Sequence, residues 1–115
     1  MNAETPIPFP LSARLPDEVA FDRKELGLIL RTYGRMVAAG EWRDYAISSL
    51  RDLAVFCVFR RTAEVPLYRI EKCPRLRSRQ GPYAVVGMDG RVLRRGHDLA
   101  QVLKLFDQPR FGVVE

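Results

Sequence analysis

The sequence predicts an α+β domain in which an antiparallel sheet of about five strands is flanked by an N-terminal and a C-terminal helix. Apolar residues recur with helical spacing over residues 26–37 and again over 99–106. Between these segments, apolar and polar residues alternate with a period of two, which indicates strands. Short polar turns separate the alternating stretches and favour an antiparallel meander, so we expect both helices on one sheet face.

The first twenty residues are predicted to be a flexible tail, and residues 21–115 a single domain. Four of the eight prolines lie in this tail, three of them at alternate positions from Pro6. That spacing favours extended backbone without regular ladder hydrogen bonds. The alternative is a strap in which Ile7, Phe9 and Leu11, spaced i, i+2, cover an apolar groove on this domain or on a partner.

The first helix has recognisable signals at both ends. Asp22 and Glu25 have the spacing of a capping box, and Gly40 suits a left-handed C-cap. Between them the sequence places one apolar stripe, which we expect to dock against the sheet. Its members are Leu26, Ile29, Leu30, Tyr33, Met36 and Val37.

Five alternating stretches then predict the strands, and a second capping box, Asp98 with Gln101, predicts the start of the last helix. Val, Ile, Phe and Tyr enrichment favours strands over helix in these stretches. Asp89-Gly90 is a strong hairpin signal between the last two. Residues 73–82 are polar and basic, with two prolines and a glycine, and are predicted to be a loop. The strand stretches are residues 45–49, 53–59, 67–72, 83–88 and 91–95.

Residues 22–107 also resemble a known family. The resemblance is carried by residues 33–47, 59–62, 68–72 and 95–99, which read YGRMVAAGEWRDYAI, FRRT, YRIEK and RGHDL. These stretches are similar to the family catalogued as domain of unknown function 2794, and the resemblance implies a small, free-standing alphaproteobacterial protein. It implies no activity, cofactor or site residue.

Composition and chain length predict an intracellular, cytoplasmic protein without a membrane segment. The chain has 115 residues, of which 47% are apolar, enough for one domain with its own core. No apolar run approaches the roughly 18–20 residues of a membrane helix, and the N-terminus lacks a signal-peptide pattern. Two separated cysteines, Cys57 and Cys73, form neither a disulfide framework nor a Cys-x-x-Cys motif.

Positive charge is concentrated in the middle of the sequence. Residues 60–95 carry ten Lys/Arg against three Asp/Glu, while the whole chain is +5. Arg75, Arg77 and Arg79 would point the same way if the loop were extended. Nine of the ten cations are arginines, whose guanidinium binds carboxylate or phosphate bidentately. The candidate binding residues are Arg60, Arg61, Arg69, Lys72, Arg75, Arg77, Arg79, Arg94 and Arg95.

Three classes of function remain open from the sequence. The first is a non-enzymatic interaction module that binds an acidic protein partner or a second copy of itself. The alternative is an RNA- or single-strand-binding accessory protein, with Tyr68 and Tyr83 near the arginines. The third is a protein that binds a small anionic ligand, or an enzyme.

The sequence assigns no catalytic residue, metal ligand or cofactor. His97 stands beside Asp98, but we interpret both as residues of a helix start. Cys57 is interpreted as a small core residue, and Cys73-Pro74 as the end of a strand before a turn. Phosphate loops and zinc-ligand spacings are missing from the sequence.

Overall fold

The computed structural model describes residues 18–61 and 65–108, and the predicted architecture is confirmed there. The strands form one antiparallel sheet in chain order, so each strand lies beside its predecessor. Residues 1–17 of the predicted tail lie outside the described residues. The elements are α1 (Arg23–Ala38), β1 (Asp44–Ser49), β2 (Ala54–Phe59), β3 (Tyr68–Lys72), β4 (Tyr83–Gly87), β5 (Val92–Gly96) and α2 (Leu99–Leu103), which continues as a 3-10 turn (Lys104–Asp107).

Both ends of α1 form as the sequence predicts. The Asp22 carboxylate accepts from the Glu25 amide, and the Glu25 carboxylate accepts from the Asp22 amide, each over 2.8 Å. At the other end, Gly40 has a φ of +80°, and the Glu41 amide donates to the Met36 carbonyl oxygen over 2.9 Å. This is the Schellman pattern, which requires the left-handed residue that glycine supplies.

The core lies between the two helices and one face of the sheet. Phe56, Ile70 and Val85 share this face in register across β2, β3 and β4, and all three are fully buried. Trp42, between α1 and β1, packs edge-to-face against Phe106 with ring centroids 4.9 Å apart. The helices therefore cover a single sheet face, as predicted.

The buried line of α1 differs from the predicted stripe. Ile29 and Met36 are buried, but Leu30 and Val37 are each 40% exposed. Glu25 and Thr32 are also buried, so the line facing the core runs through positions that are polar as well as apolar. The expected docking through Leu30 and Val37 is therefore wrong.

The second sheet face carries an ion pair at its centre. Arg69 Nε lies 3.1 Å from Glu71 Oε2 along β3. In register beside them, Val55 and Val86 are buried and Cys57 is half-buried. This face is thus partly apolar, with its charges paired along the strand.

No helix of the described residues is long and apolar enough to cross a membrane.

Candidate functional site

The meander divides the sequence-clustered cations between opposite ends of the sheet. Arg60 and Arg61 follow the end of β2, whereas the segment after Lys72 emerges at the opposite end of the neighbouring antiparallel strand. Five strand residues span roughly 17 Å, so the two groups are separated by about the length of the sheet. Charge that is continuous in sequence is therefore not continuous in space.

Several of the candidate cations have partners within the chain. Arg69 pairs with Glu71, and Lys72 lies 2.8 Å from Glu25. On β5, Arg94 Nη1 donates to the Gln101 carbonyl oxygen over 3.2 Å. Arg95, on the other face of β5, donates to the loop at the Gly81 carbonyl oxygen over 3.3 Å.

The loop between β3 and β4 is compact, which overturns the expectation that Arg75, Arg77 and Arg79 share one direction. Pro74–Leu76 is a 3-10 turn, and the next residues continue as turns. The Arg77 and Arg79 amides donate to the carbonyl oxygens of Pro74 and Leu76. Proline at the start of the turn fixes φ in the helical range, so the chain coils where an alternating pattern suggested extension.

The same loop is held firmly against the sheet. The Cys73 amide donates to the Pro82 carbonyl oxygen over 2.7 Å, and the Gly81 amide donates to the Leu76 carbonyl oxygen over 2.9 Å. Gly81 has a φ of +108°, and a Cβ there would lie 2.3 Å from the Gly96 backbone. Only glycine fits this contact, so the loop has a defined position against β5.

Three arginines are exposed on this fixed loop. Arg75, Arg77 and Arg79 are all exposed. The Arg75 side chain is 74% exposed, with Asp52 3.5 Å away. We call these three residues the loop arginines. Because their backbone is held by the turn and the sheet, little backbone entropy is lost when they bind a partner.

A cleft of about 450 Å³ lies beside the loop arginines. It is bounded by the start of α1, the end of β3, the loop and the residue after β5. Two carboxylates and three basic side chains surround it, so it is polar and close to charge balance. Its lining residues are Asp22, Glu25, Lys72, Pro74, Arg77, Pro82, Tyr83 and His97.

At the base of the cleft, Glu25 joins three elements in one hydrogen-bond network. Its Oε1 accepts from Lys72 Nζ over 2.8 Å, and its Oε2 accepts from the Tyr83 hydroxyl over 2.5 Å. Lys72 Nζ also donates to the Ala20 carbonyl oxygen over 2.9 Å. The side chains of Glu25 and Lys72 are only 10% and 17% exposed, so the ion pair is strengthened by partial exclusion of water.

This network keeps Tyr83 in its neutral form. Burial is the main cause that raises the pKa of Tyr83 well above its ordinary value, and the hydrogen bond to Glu25 adds to it. A phenol with a raised pKa donates a hydrogen bond and does not act as a base near neutral pH. Tyr83 is therefore a donor to Glu25 in this arrangement.

Sequence reasoning found parts of this network without their connection. The sequence predicts Glu25 in the capping box, Lys72 on the binding face, and Tyr83 at the start of a strand near the arginines. The capping-box spacing is a local signal. The contacts of Glu25 span 47 and 58 residues, and no local pattern encodes them.

His97 and Asp98 act separately, as the helix-start interpretation requires. His97 Nε2 lies 2.7 Å from the Arg77 carbonyl oxygen, and this contact ties the loop to the end of β5. Asp98 accepts from the Ala100 amide over 3.0 Å. This hydrogen bond caps α2. Its donor, Ala100, comes one residue before Gln101, which the predicted capping box would use as the donor.

The two cysteines are free thiols in separate elements. Cys57 is half-buried on β2, and burial raises the pKa of its thiol. Cys73 precedes the 3-10 turn that begins at Pro74, as the sequence suggested. Within residues 18–61 and 65–108, His, Cys, Asp and Glu side chains form no group that could hold a metal ion.

A second groove, of about 600 Å³, lies at the opposite end of the sheet. Leu67, Tyr68, Met88 and Leu93 contribute to its lining, and Met88 is largely exposed. It is apolar and distant from the loop arginines. The structure gives it no charged group beyond Asp89.

Comparison with known proteins identifies a family and no characterised relative. The family model described as "Protein of unknown function (DUF2794)" matches residues 19–103. No curated protein and no solved structure matches the chain.

Proposed function

Because the chain belongs to the DUF2794 family of proteins of unknown function, we propose its function from the site alone: it is a non-enzymatic interaction module whose loop arginines bind an acidic protein partner. The observation that carries this proposal is the set of three exposed arginines on a fixed loop beside a polar cleft. Arginine on a preorganised backbone binds carboxylates bidentately at a small entropic cost. In this proposal a carboxylate side chain of the partner enters the cleft beside Arg77.

The distribution of acids favours a different molecule over a second copy as the acidic partner. Five acids of the described residues already form ion pairs with cations of the same chain. The pairs are Glu25–Lys72, Glu71–Arg69, Asp52–Arg75, Asp89–Arg91 and Asp107–Arg35. Asp22 and Asp98 cap helices. Most acids of the described residues are thus already engaged, so few remain to complement the loop arginines of a second copy.

The aromatic contacts favour protein over nucleic acid. Tyr68 packs edge-to-face against Phe106, with ring centroids 5.1 Å apart. Tyr83 packs against the core and donates its hydroxyl to Glu25. Single-strand binding draws on exposed rings that stack on bases, and these two rings have other contacts. RNA or single-stranded DNA is therefore the second candidate.

The saturated hydrogen bonds of Glu25 support a binding role over catalysis. Its two oxygens accept from Lys72, Tyr83 and the Asp22 amide, which leaves it poorly placed to accept a proton from a substrate. We place the module in the cytoplasm, since the free thiols of Cys57 and Cys73 fit a reducing compartment.

The proposal is tested with the full chain and two labelled probes in fluorescence anisotropy. One probe is a polyglutamate peptide, and the other is an oligothymidylate of the same length and charge. We expect the peptide to bind more tightly. Replacing Arg75, Arg77 and Arg79 with Ser should weaken its binding about tenfold, because three exposed charge contacts at about 0.5 kcal/mol each give about 1.5 kcal/mol.

The matched control removes the same charge from the opposite end of the sheet. Arg43, Arg60 and Arg61 are exposed there, and their triple replacement with Ser should leave peptide affinity unchanged. Equal weakening by both triple variants would reduce the effect to net charge and overturn the proposal. Tighter binding of the oligothymidylate, lost on replacement of the loop arginines, would establish the nucleic-acid alternative instead.

A further inference from the structure

An exposed apolar surface lies beside β1, on the helix face of the sheet. Leu30 and Val37 on α1 and Tyr45 and Ile47 on β1 are each 40–45% exposed. Tyr33 connects the two elements, because its ring lies 4.9 Å from that of Tyr45 and occupies the helix position between Leu30 and Val37. We call these five residues the β1-side surface.

β1 is also an edge strand of the described sheet, and it has few of the features that discourage an edge strand from pairing with another strand. All six of its residues pair with β2 in unbroken register, and its sequence contains no proline, lysine or arginine. β5, the other edge, carries Arg94 and Arg95 and a register irregularity opposite Val85 and Val86. Natural edge strands usually carry such features, which discourage pairing with another strand.

The register of β1 shows which of its backbone groups point away from β2. The Leu50 amide donates to the Leu53 carbonyl oxygen at the hairpin, so alternate residues back from Leu50 face β2. Ile47 and Ser49 therefore direct their amide and carbonyl groups away from β2. The Tyr45 amide donates to its neighbour Asp44 over 2.8 Å, so the start of the edge is already engaged.

The chain itself enters the described structure at this edge. The Val19 amide donates to the carbonyl oxygen of Leu50, the residue directly after β1, over 2.8 Å. Seventeen residues precede Glu18. Residues 12–17 alone reach about 20 Å when extended, which is the length of a six-residue strand. Residues 6–11 are therefore long enough and close enough to lie along β1.

The composition of residues 6–11 matches both features of this edge. Prolines alternate with Ile7, Phe9 and Leu11. In an extended chain the three apolar residues direct their amides to one side, and the prolines, which have no amide hydrogen, lie on the other. Such a strand pairs on one side only, and its proline side closes the sheet.

We propose that residues 6–11 dock along β1 as an antiparallel sixth strand and cover the β1-side surface. Antiparallel residues that exchange hydrogen bonds lie opposite each other with side chains on the same face. Pairing of Ile7, Phe9 and Leu11 with the outward groups of Ile47 and Ser49 thus places their side chains on the helix face, beside Leu30. A parallel strand would place them on the opposite face. Residues 12–17 then reverse the chain before Glu18.

Amide hydrogen exchange of the full chain, followed residue by residue by NMR, tests this proposal. We expect the amides of Ile47 and Ser49 to be protected, because each donates to the docked strand. Replacing Ile7, Phe9 and Leu11 with Ser should abolish that protection and leave Ala46 and Ser48, which face β2, protected. Unprotected Ile47 and Ser49 amides in the parent chain would overturn the proposal without any variant.

The matched control changes the other side of the same segment. Replacing Pro6, Pro8 and Pro10 with Ser should preserve the protection, because those positions face away from β1. Loss of protection in this proline variant, with protection retained when Ile7, Phe9 and Leu11 are replaced, would contradict the assigned orientation. Protection that falls on dilution together with a dimer in sedimentation would identify a second copy as the occupant and also overturn the proposal.

Discussion

Glu25 connects more of the molecule than any other residue of the described site. It lies in the first turn of α1, where it completes the capping box with Asp22. The same carboxylate accepts from Lys72 at the end of β3 and Tyr83 at the start of β4. A single side chain thus fixes the start of the helix against two strand ends. Its burial is tolerated because each oxygen has a donor.

We expect Tyr83→Phe to destabilise the protein by about 1–3 kcal/mol near neutral pH, because it leaves a buried carboxylate without one donor. Burial and the Glu25 hydrogen bond raise the pKa of Tyr83 above 10.0 in the folded state. The stabilisation is therefore complete below about pH 10, the ordinary tyrosine pKa, and is lost as the pH rises beyond it. Urea titrations at increasing pH should show a steeper alkaline loss for the parent than for the variant.

The alkaline comparison has an internal reference. Burial also raises the pKa of Tyr33 and Tyr68, so both proteins should retain a common decline above about pH 10. The additional slope of the parent belongs to Tyr83. Identical slopes in parent and variant would mean that the Tyr83 hydroxyl is not coupled to Glu25 in solution.

The capping box could be predicted at this scale, whereas the network around it could not. Asp22 and Glu25 are three residues apart, and the geometry of a helix start brings them together without any tertiary structure. Lys72 and Tyr83 reach Glu25 only through the sheet register. Nothing in the local sequence around a lysine in a basic stretch, or a tyrosine in a strand, indicates that either side chain contacts Glu25. The sequence therefore predicts Lys72 among the exposed arginines, whereas in the structure its side chain is nearly buried.

At the scale of elements, the strands follow the sequence closely and α1 follows it only in part. Alternation located all five strands because the two faces of a strand differ strictly by parity. On α1 the apolar stripe is wider than the buried line, and that line includes the polar residues Glu25 and Thr32. The positions of the apolar residues alone do not show which edge of a wide stripe is buried, because hydrogen-bonded polar side chains take up part of the buried line.

The contrast between two adjacent residues of α1 tests its orientation. Ile29 is fully buried and Leu30 is 40% exposed. We expect Ile29→Ala to lower the free energy of unfolding by about 2–5 kcal/mol, and Leu30→Ala to lower it by about 1 kcal/mol, since less apolar area returns to water. Guanidinium titration of both variants measures the difference. Equal losses would place α1 in a different rotation about its axis.

At the scale of the whole molecule, the meander explains why a basic stretch of sequence is not one basic surface. Each strand reverses direction, so successive turns lie alternately at the two ends of the sheet. Arg60 and Arg61 occupy one end and the loop arginines the other. The predicted binding role of the nine candidate cations stays a prediction, and the structure separates them by position and burial. Composition alone could not separate them, because it does not show at which end of the sheet each turn lies.

This separation predicts that one buried cation matters more for folding than three exposed ones. Replacing Lys72 with Met leaves Glu25 as a nearly buried charge without its counter-ion, and we expect a loss of about 3 kcal/mol, the lower end for such pairs. Replacing Arg75, Arg77 and Arg79 together with Ser should change the free energy of unfolding by about 0.5 kcal/mol or less, because exposed charges contribute little. Adding Glu25→Gln to Lys72→Met should recover part of the loss, since it removes the unpaired charge. Denaturant titration of these variants decides the matter: a larger loss from the triple variant than from Lys72→Met would make the loop arginines structural residues, and the proposed binding role would then lose its basis.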